Sequence, residues 1–305
     1  MSTTDPALGA FNYRAHQEAV AQLLERQIFF VGGAEKSGTS WLQHLLDAHP
    51  QVSCGGESHF IGSLYPRIKK ALEKHNAFVL QKNINPMRYE LGGEPDTFEE
   101  PDFLYVVASA ILTSLMKQAR GKAPLAVGER TPDNVFVFTG LSNMIPGIKC
   151  IHIVRDPRDV GVSQWYNIRR SVPERMRSQM VPVPSIVKEY AGVWVAVIQS
   201  GLKFAARNPD RYCELRYEDL VTQPAPTLAR VCRFLGVDDR PEILQLCLDK
   251  TSFQKLSGGR APGQEDKESF FRKGIIGDWK NHIDAETNEQ VIATAGELMR
   301  RFGYI

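Results

Sequence analysis

No stretch of the 305-residue chain approaches the roughly 20 apolar residues that a membrane-spanning helix needs. Residues 1–27 also lack the basic start and apolar run of a secretory leader. A cytoplasmic protein with no transmembrane segment is therefore expected. Cysteine is sparse: Cys54, Cys150, Cys213, Cys232 and Cys247 are scattered, odd in number and without a CxxC pair, which argues against a disulfide framework or a zinc cluster. Charge of one sign is missing too. With 37 basic and 35 acidic residues the formal net charge is only +2, so no broad basic field for nucleic acid is present and any anion site must be local. There is no internal repeat and no Pro/Gly/Ser linker long enough to part domains. Residues 1–305 read as one domain, with residues 1–27 as an N-terminal helical extension.

What is present is an ordinary globular composition, 43% apolar and 24% charged, enough to bury a full core. Ala15, Ala19 and Leu23 recur at helical spacing, and Ile28-Phe29-Phe30-Val31 forms a short wholly apolar run ending at Gly32-Gly33. The sequence predicts strands at 28–31, 51–54, 125–127, 148–154 and 211–215, and helices at 13–27, 40–46, 103–119, from 160, 186–205 and 225–235. This alternation implies an α/β fold with a central, mostly parallel sheet flanked by helices. The Pro-rich segment 173–184 and the Gly-rich segment 257–263 read as mobile loops over a site.

Between the first strand and its helix lies Gly33-Ala34-Glu35-Lys36-Ser37-Gly38-Thr39-Ser40. Two glycines separated by four residues let backbone N–H groups converge on an anion at a helix N-terminus. The kinase pattern GxxxxGK[ST] is broken, because Thr39 stands where its lysine belongs and the lysine has moved inside the loop as Lys36. No acidic residue ending an early strand stands ready for magnesium. A metal-free anion site is favoured over an ATPase, while an ordinary strand-to-helix turn with a solvated Lys36 fits the loop alone equally well.

Further segments resemble the 3′-phosphoadenosine-5′-phosphosulfate (PAPS)-dependent sulfotransferase family, in family order. Lys36-Ser37-Gly38-Thr39-Ser40-Trp41 is similar to its 5′-phosphosulfate loop PKSGTTW, with Glu35 for the proline and Ser40 for the second threonine. Arg155, at the end of an apolar strand, and Ser163 resemble its 3′-phosphate segment, where a guanidinium forks two donors onto a phosphate. Phe270-Phe271-Arg272-Lys273-Gly274, continued by Gly277-Asp278-Trp279-Lys280-Asn281, resembles the RKGxxGDWKN signature. Tyr217, in a YEDL element, and Thr251 and Phe253, in a TSF element, resemble its adenine surroundings. The resemblance implies a P-loop-like three-layer fold, PAPS as donor with 3′-phosphoadenosine-5′-phosphate (PAP) as product, no metal, and Lys36 as the group that neutralises the departing nucleotide.

For the base, the KTHLP-like segment of the cytosolic enzymes is absent. Instead Glu57-Ser58-His59-Phe60 resembles the Glu-x-His-Phe element of heparan-type 3-O-sulfotransferases, which makes Glu57 the candidate general base and His59 the second choice or an orienting partner. Glu129-Arg130 resembles the GEKTP segment of the same enzymes, suited to orienting acceptor or base or to a buried pair. The acceptor, a small molecule or a carbohydrate offering a hydroxyl or an amine, should be selected by residues 61–102 and 166–184. There Arg169, Arg170, Arg175 and Arg177 form either a guide for an anionic acceptor or a solvated face. A P-loop nucleotide kinase and a catalytically silent PAP-binding protein are the rival readings, and a homo-oligomer is compatible with all of them.

Overall fold

The computed structural model describes residues 12–82, 97–119 and 121–305. Helix α1 (Tyr13–Leu24) leads into β1 (Gln27–Gly32), α2 (Thr39–Ala48) and β2 (Val52–Gly55). A π-helical turn (Phe60–Leu64) then opens α3 (Tyr65–Lys82). After α4 (Glu100–Gln118) the chain runs through β3 (Ala126–Arg130), α5 (Asn134–Met144), β4 (Lys149–Val154) and α6 (Pro157–Ser171). A 3₁₀ turn (Glu174–Gln179) precedes α7 (Val183–Arg207), β5 (Tyr212–Arg216), α8 (Tyr217–Thr222), α9 (Pro224–Leu235), α10 (Pro241–Lys250) and α11 (Phe253–Leu256). A further 3₁₀ turn (Pro209–Arg211) enters β5, and another (Asp278–Asn281) leads to α12 (Ala285–Arg301).

The five strands are all parallel, in the order β2-β3-β1-β4-β5. Because successive side chains of a strand point to opposite faces, the apolar run of β1 serves two cores at once. Phe29 and Val31 join Leu42, Leu45, Leu228 and Val231 beneath α2 and α9. Ile28 and Phe30 join Ile111, Phe138, Trp194 and Val291 beneath α4, α5, α7 and α12. This is the three-layer α/β arrangement expected from the alternation of elements. No helix among the described residues is long and apolar enough to cross a membrane.

Some boundaries differ from the sequence reading for identifiable reasons. Helix α1 stops at Leu24 because Gln27 is already paired in the sheet with Ala126. Strand β3 runs on to Glu129 and Arg130, two charged residues that alternation would end a strand on, and both are buried. Segment 173–184 is not an open loop, since it holds the 3₁₀ turn and Pro184 lies in the first turn of α7, where its missing N–H costs nothing. Helices α3, α5, α8, α10, α11 and α12 are additional to the sequence reading. Part of the expected acceptor region, residues 83–96, and residues 1–11 of the expected extension lie outside the described residues.

Candidate active site

The carboxyl ends of β1, β3 and β4 open onto one cleft of about 580 Å³, where a parallel sheet whose strand order reverses beside β1 leaves room for a ligand. The loop leaving β1 is drawn tight. A side chain on Gly33 would collide with the Ile153 carbonyl of β4. At Gly38 (φ +95°) an added Cβ would lie 2.5 Å from the Tyr217 ring, so only glycine suits this start of α2. Thr39, Ser40 and Trp41 form the first turn of α2 and line the cleft, and the first N–H groups of a helix have no intrahelical acceptor. Ser37 is sealed beneath the loop, does not line the cleft, and its Oγ has no hydrogen-bond partner among the described residues.

Lys36 occupies the left-handed region (φ 69°), which turns its side chain into the cleft wall. Its Nζ donates to Asn167 Oδ1 at 3.2 Å and stands 4.3 Å from the centre of the Phe270 ring. Burial, followed by the like charge of Arg170, lowers its pKa to about 8. Glu35, in the place of the family's proline, is exposed and accepts from Gln164 Nε2.

Arg155 emerges from the end of β4 with its guanidinium 4.4 Å from the centre of the Tyr217 ring. It donates to the Lys36 carbonyl oxygen at 3.2 Å and to the Ile275 carbonyl at 3.4 Å, and its buried Nε has no partner among the described residues. Ser163 lines the same wall from α6. Asp159, one turn into α6, pairs with Arg155 at 3.7 Å and accepts the N–H groups of Gly277 (2.7 Å) and Trp279 (2.9 Å). This carboxylate fastens the C-terminal motif over the cleft.

Within that motif Arg272, Lys273 and Gly274 line the cleft, the Arg272 guanidinium lying over the Tyr166 ring. Gly274 (φ +65°) packs so closely on Phe253 that a Cβ would enter its ring. Arg272 and Lys273 both pair with Asp278, which also accepts from His282 and Asn281. Burial alone would raise the Asp278 carboxyl, but these donors outweigh it and hold it far below the usual carboxylate range. Trp41, Tyr217, Thr251 and Phe253 line the same cleft. Trp41 meets Tyr217 edge-on at 5.9 Å and donates to the Thr251 carbonyl at 3.1 Å.

At the far end, Glu57 and Arg130 face the cleft near Lys36. Glu57 is bound by Arg130 Nη1 through one oxygen and meets His59 Nε2 at 3.2 Å through the other. His59 itself is not part of the cleft lining. Glu129 does not pair with Arg130. It is fully buried and accepts from Asn134 (2.8 Å) and Thr131 (3.0 Å).

Sequence reasoning missed Asn167 and the bonding roles of the motif residues Asp159 and Asp278. Asn167 follows Ser163 by one helical turn, a spacing that would have placed both on one face. The arginine cluster is neither an open guide nor a solvated face as a whole. Arg169 and Arg177 pair with Glu268 and Arg170 donates to the Ser269 carbonyl, tying α6 to the C-terminal loop, while Arg175 is exposed.

Comparison with known proteins agrees with this layout. A family model described as "Sulfotransferase domain" matches residues 26–303. The chain is 26% identical over 183 residues to cytosolic sulfotransferase 17 of Arabidopsis thaliana, covering 52% of this chain and 51% of the relative. It is 29% identical over 192 residues to sulfotransferase 2A6 of Rattus norvegicus, covering 59% of this chain and 66% of the relative. The chain thus spans between half and two thirds of the length of these curated relatives. Among solved structures it is similar to mouse sulfotransferase SULT7A1 complexed with PAP (18% identity, TM-score 0.55, covering 95% of this chain and 91% of that one). It is also similar to the sulfotransferase domain of the Synechococcus PCC 7002 olefin synthase (20% identity, TM-score 0.53, covering 90% and 94%). At these identities the two structures bear on the fold, which they share, and the family match over nearly the whole length decides the rest: the chain belongs to the sulfotransferase family.

Proposed function

We propose that this chain transfers a sulfuryl group from PAPS to a hydroxyl or amine of a small-molecule or carbohydrate acceptor, acting as a single cytoplasmic sulfotransferase domain. The observation that carries the reading is that Lys36 and Arg155, far apart in sequence, meet in one cleft that also receives Arg272 and Lys273. The chemistry of this lining suits a nucleotide charged at both ends. The lining combines the cations Lys36, Arg155, Arg272 and Lys273 with the rings of Trp41, Tyr217, Phe253 and Phe270, and the buried Arg155 Nε lacks a partner among the described residues.

When bound, PAPS supplies the sulfur–oxygen bond that breaks as the acceptor oxygen or nitrogen forms its own bond to sulfur. Transfer of this kind resembles phosphoryl transfer, in which positioning and charge neutralisation dominate. Lys36, as an ammonium, neutralises the negative charge left on the departing nucleotide, and the N–H groups of Thr39, Ser40 and Trp41 grip its 5′ end. Arg155, Ser163, Arg272 and Lys273 bind the 3′-phosphate, with Gly274 and Phe270 completing that segment. Trp41, Tyr217, Thr251 and Phe253 enclose the base. Glu57 accepts the acceptor proton, and its exposure to the cleft supports it over His59, which orients it from 3.2 Å.

The test is thermal stabilisation by PAP, ADP and Mg-ATP at equal concentration. A ligand at about 100 times its Kd stabilises by roughly 2.7 kcal/mol, which is readily measured. PAP without metal is expected to raise Tm well above ADP, whereas equal responses, or a response confined to Mg-ATP, would refute the reading.

A further inference from the structure

Loop 56–59, which carries Glu57 and His59, leaves β2 at Gly55 directly beside Glu129 of β3, its partner in sheet register. The Glu129 carboxylate accepts the Ser58 N–H at 3.5 Å and the Thr131 hydroxyl at 3.0 Å through one oxygen. Thr131 Oγ1 in turn accepts the His59 N–H at 3.4 Å. The other carboxylate oxygen is held by Asn134, whose amide also reaches the Val31 carbonyl of β1 at 3.1 Å. On the far side of the loop the His59 carbonyl accepts from Ser63 (2.9 Å), and Phe60 is buried. Between these anchors His59 sits in the left-handed region (φ 47°), which is unfavourable for a non-glycine residue and persists only where surroundings impose it.

A buried carboxylate is costly unless every acceptor site is used. Here the carboxylate is used on the Ser58 N–H of the loop, the Thr131 hydroxyl and the Asn134 amide that also reaches β1, and none of these residues lines the cleft. We propose that Glu129 is a positioning residue for the candidate base: it fixes the backbone of loop 56–59 to the ends of β1 and β3, so that Glu57 meets Arg130 and the acceptor at a set distance. Removal of the carboxylate leaves the nucleotide end intact and lets the base loop swing. The role rests on the reading of Glu57 given above, and its test separates the two.

Glu129→Gln keeps the shape but turns one acceptor into a donor facing N–H or amide groups. Amide hydrogen exchange at Ser58 and His59, measured by NMR without any acceptor, is expected to speed up about tenfold or more, with the PAP-induced rise in Tm unchanged. Sulfate release from labelled PAPS with water as acceptor is expected to fall about tenfold in Glu129→Gln, and to fall no further when the change is added to Glu57→Gln, because residues acting as a unit are not additive. Thr131→Val removes both the acceptor of the His59 N–H and the hydroxyl that binds Glu129, while leaving the carboxylate and its Ser58 N–H in place. It is expected to speed exchange at His59, which covers the case in which Glu129→Gln fails to fold. Unchanged exchange at Ser58 and His59, or losses that add in full on Glu57→Gln, would overturn the proposal. A wild-type chain that PAP does not stabilise would refute the sulfotransferase reading while leaving the exchange result to decide the role of Glu129 in the loop.

Discussion

The guanidinium of Arg155 donates to the main-chain carbonyl of Lys36 at 3.2 Å while stacking on Tyr217. The end of β4 and the loop leaving β1 are thereby one unit, and Arg155 shapes the glycine loop as well as offering charge to the cleft. Arg155→Lys keeps the charge but loses the fork and the stacking. Since hydrogen bonds to charged groups contribute about 1.5–3 kcal/mol, PAP affinity by titration calorimetry is expected to fall roughly 10- to 100-fold, with a smaller loss for ADP.

If Lys36 binds the nucleotide as proposed, affinity depends on pH. Burial lowers its pKa to about 8, and an anion in the cleft favours the ammonium form, so binding draws a proton onto Lys36 wherever it is neutral beforehand. PAP affinity is therefore expected to be full below pH 8 and to weaken as pH rises past it, by about tenfold for each unit of pKa that the ligand restores. Lys36→Gln should bind more weakly at pH 7 and show no such fall. Calorimetry at pH 7 and 9.5 checks both.

Glu57→Gln removes the proposed proton acceptor and leaves the nucleotide end untouched. The rise in Tm on adding PAP should persist while sulfuryl transfer drops about 10²- to 10⁴-fold, the usual range for a general base. Near-normal turnover would pass the role to His59, and His59→Gln would then show the larger loss.

Asp159→Asn leaves a single acceptor oxygen where a carboxylate now takes two N–H groups and a guanidinium. Loss of a buried partner costs about 1–3 kcal/mol, so Tm should fall by several degrees. Residues 257–277 should become cleavable by protease in the absence of PAP and be protected again in its presence.

How much of this was legible in the sequence follows from the range over which each interaction acts. The apolar run of β1, the helix spacings and the breaks at glycine and proline are local signals of burial, and they suffice for a parallel α/β sheet and for the place of the glycine loop. Lys36, Arg155 and Arg272 are legible through the resemblance of their segments to family motifs: Lys36 lies in the loop leaving β1, Arg155 directly follows β4, and Arg272 lies in the irregular chain before the turn Asp278–Asn281. Periodicity, which scores one residue at a time, could not tell that β3 carries its strand through Glu129 and Arg130. Glu129 is satisfied by Thr131 and Asn134 just beyond the strand, and Arg130 by Glu57 from the loop after β2, a partner that no local pattern names. The same holds for Asn167 beside Lys36, for Asp159 holding Gly277, and for Glu268 neutralising Arg169 and Arg177. Residue types and local periods thus determined the layers and the chemistry on offer. Which charge faces which was decided by the strand order and its crossovers, since a partner's identity depends on distance in space, and the strand crossovers alone bring together residues as far apart in the chain as Lys36 and Arg155.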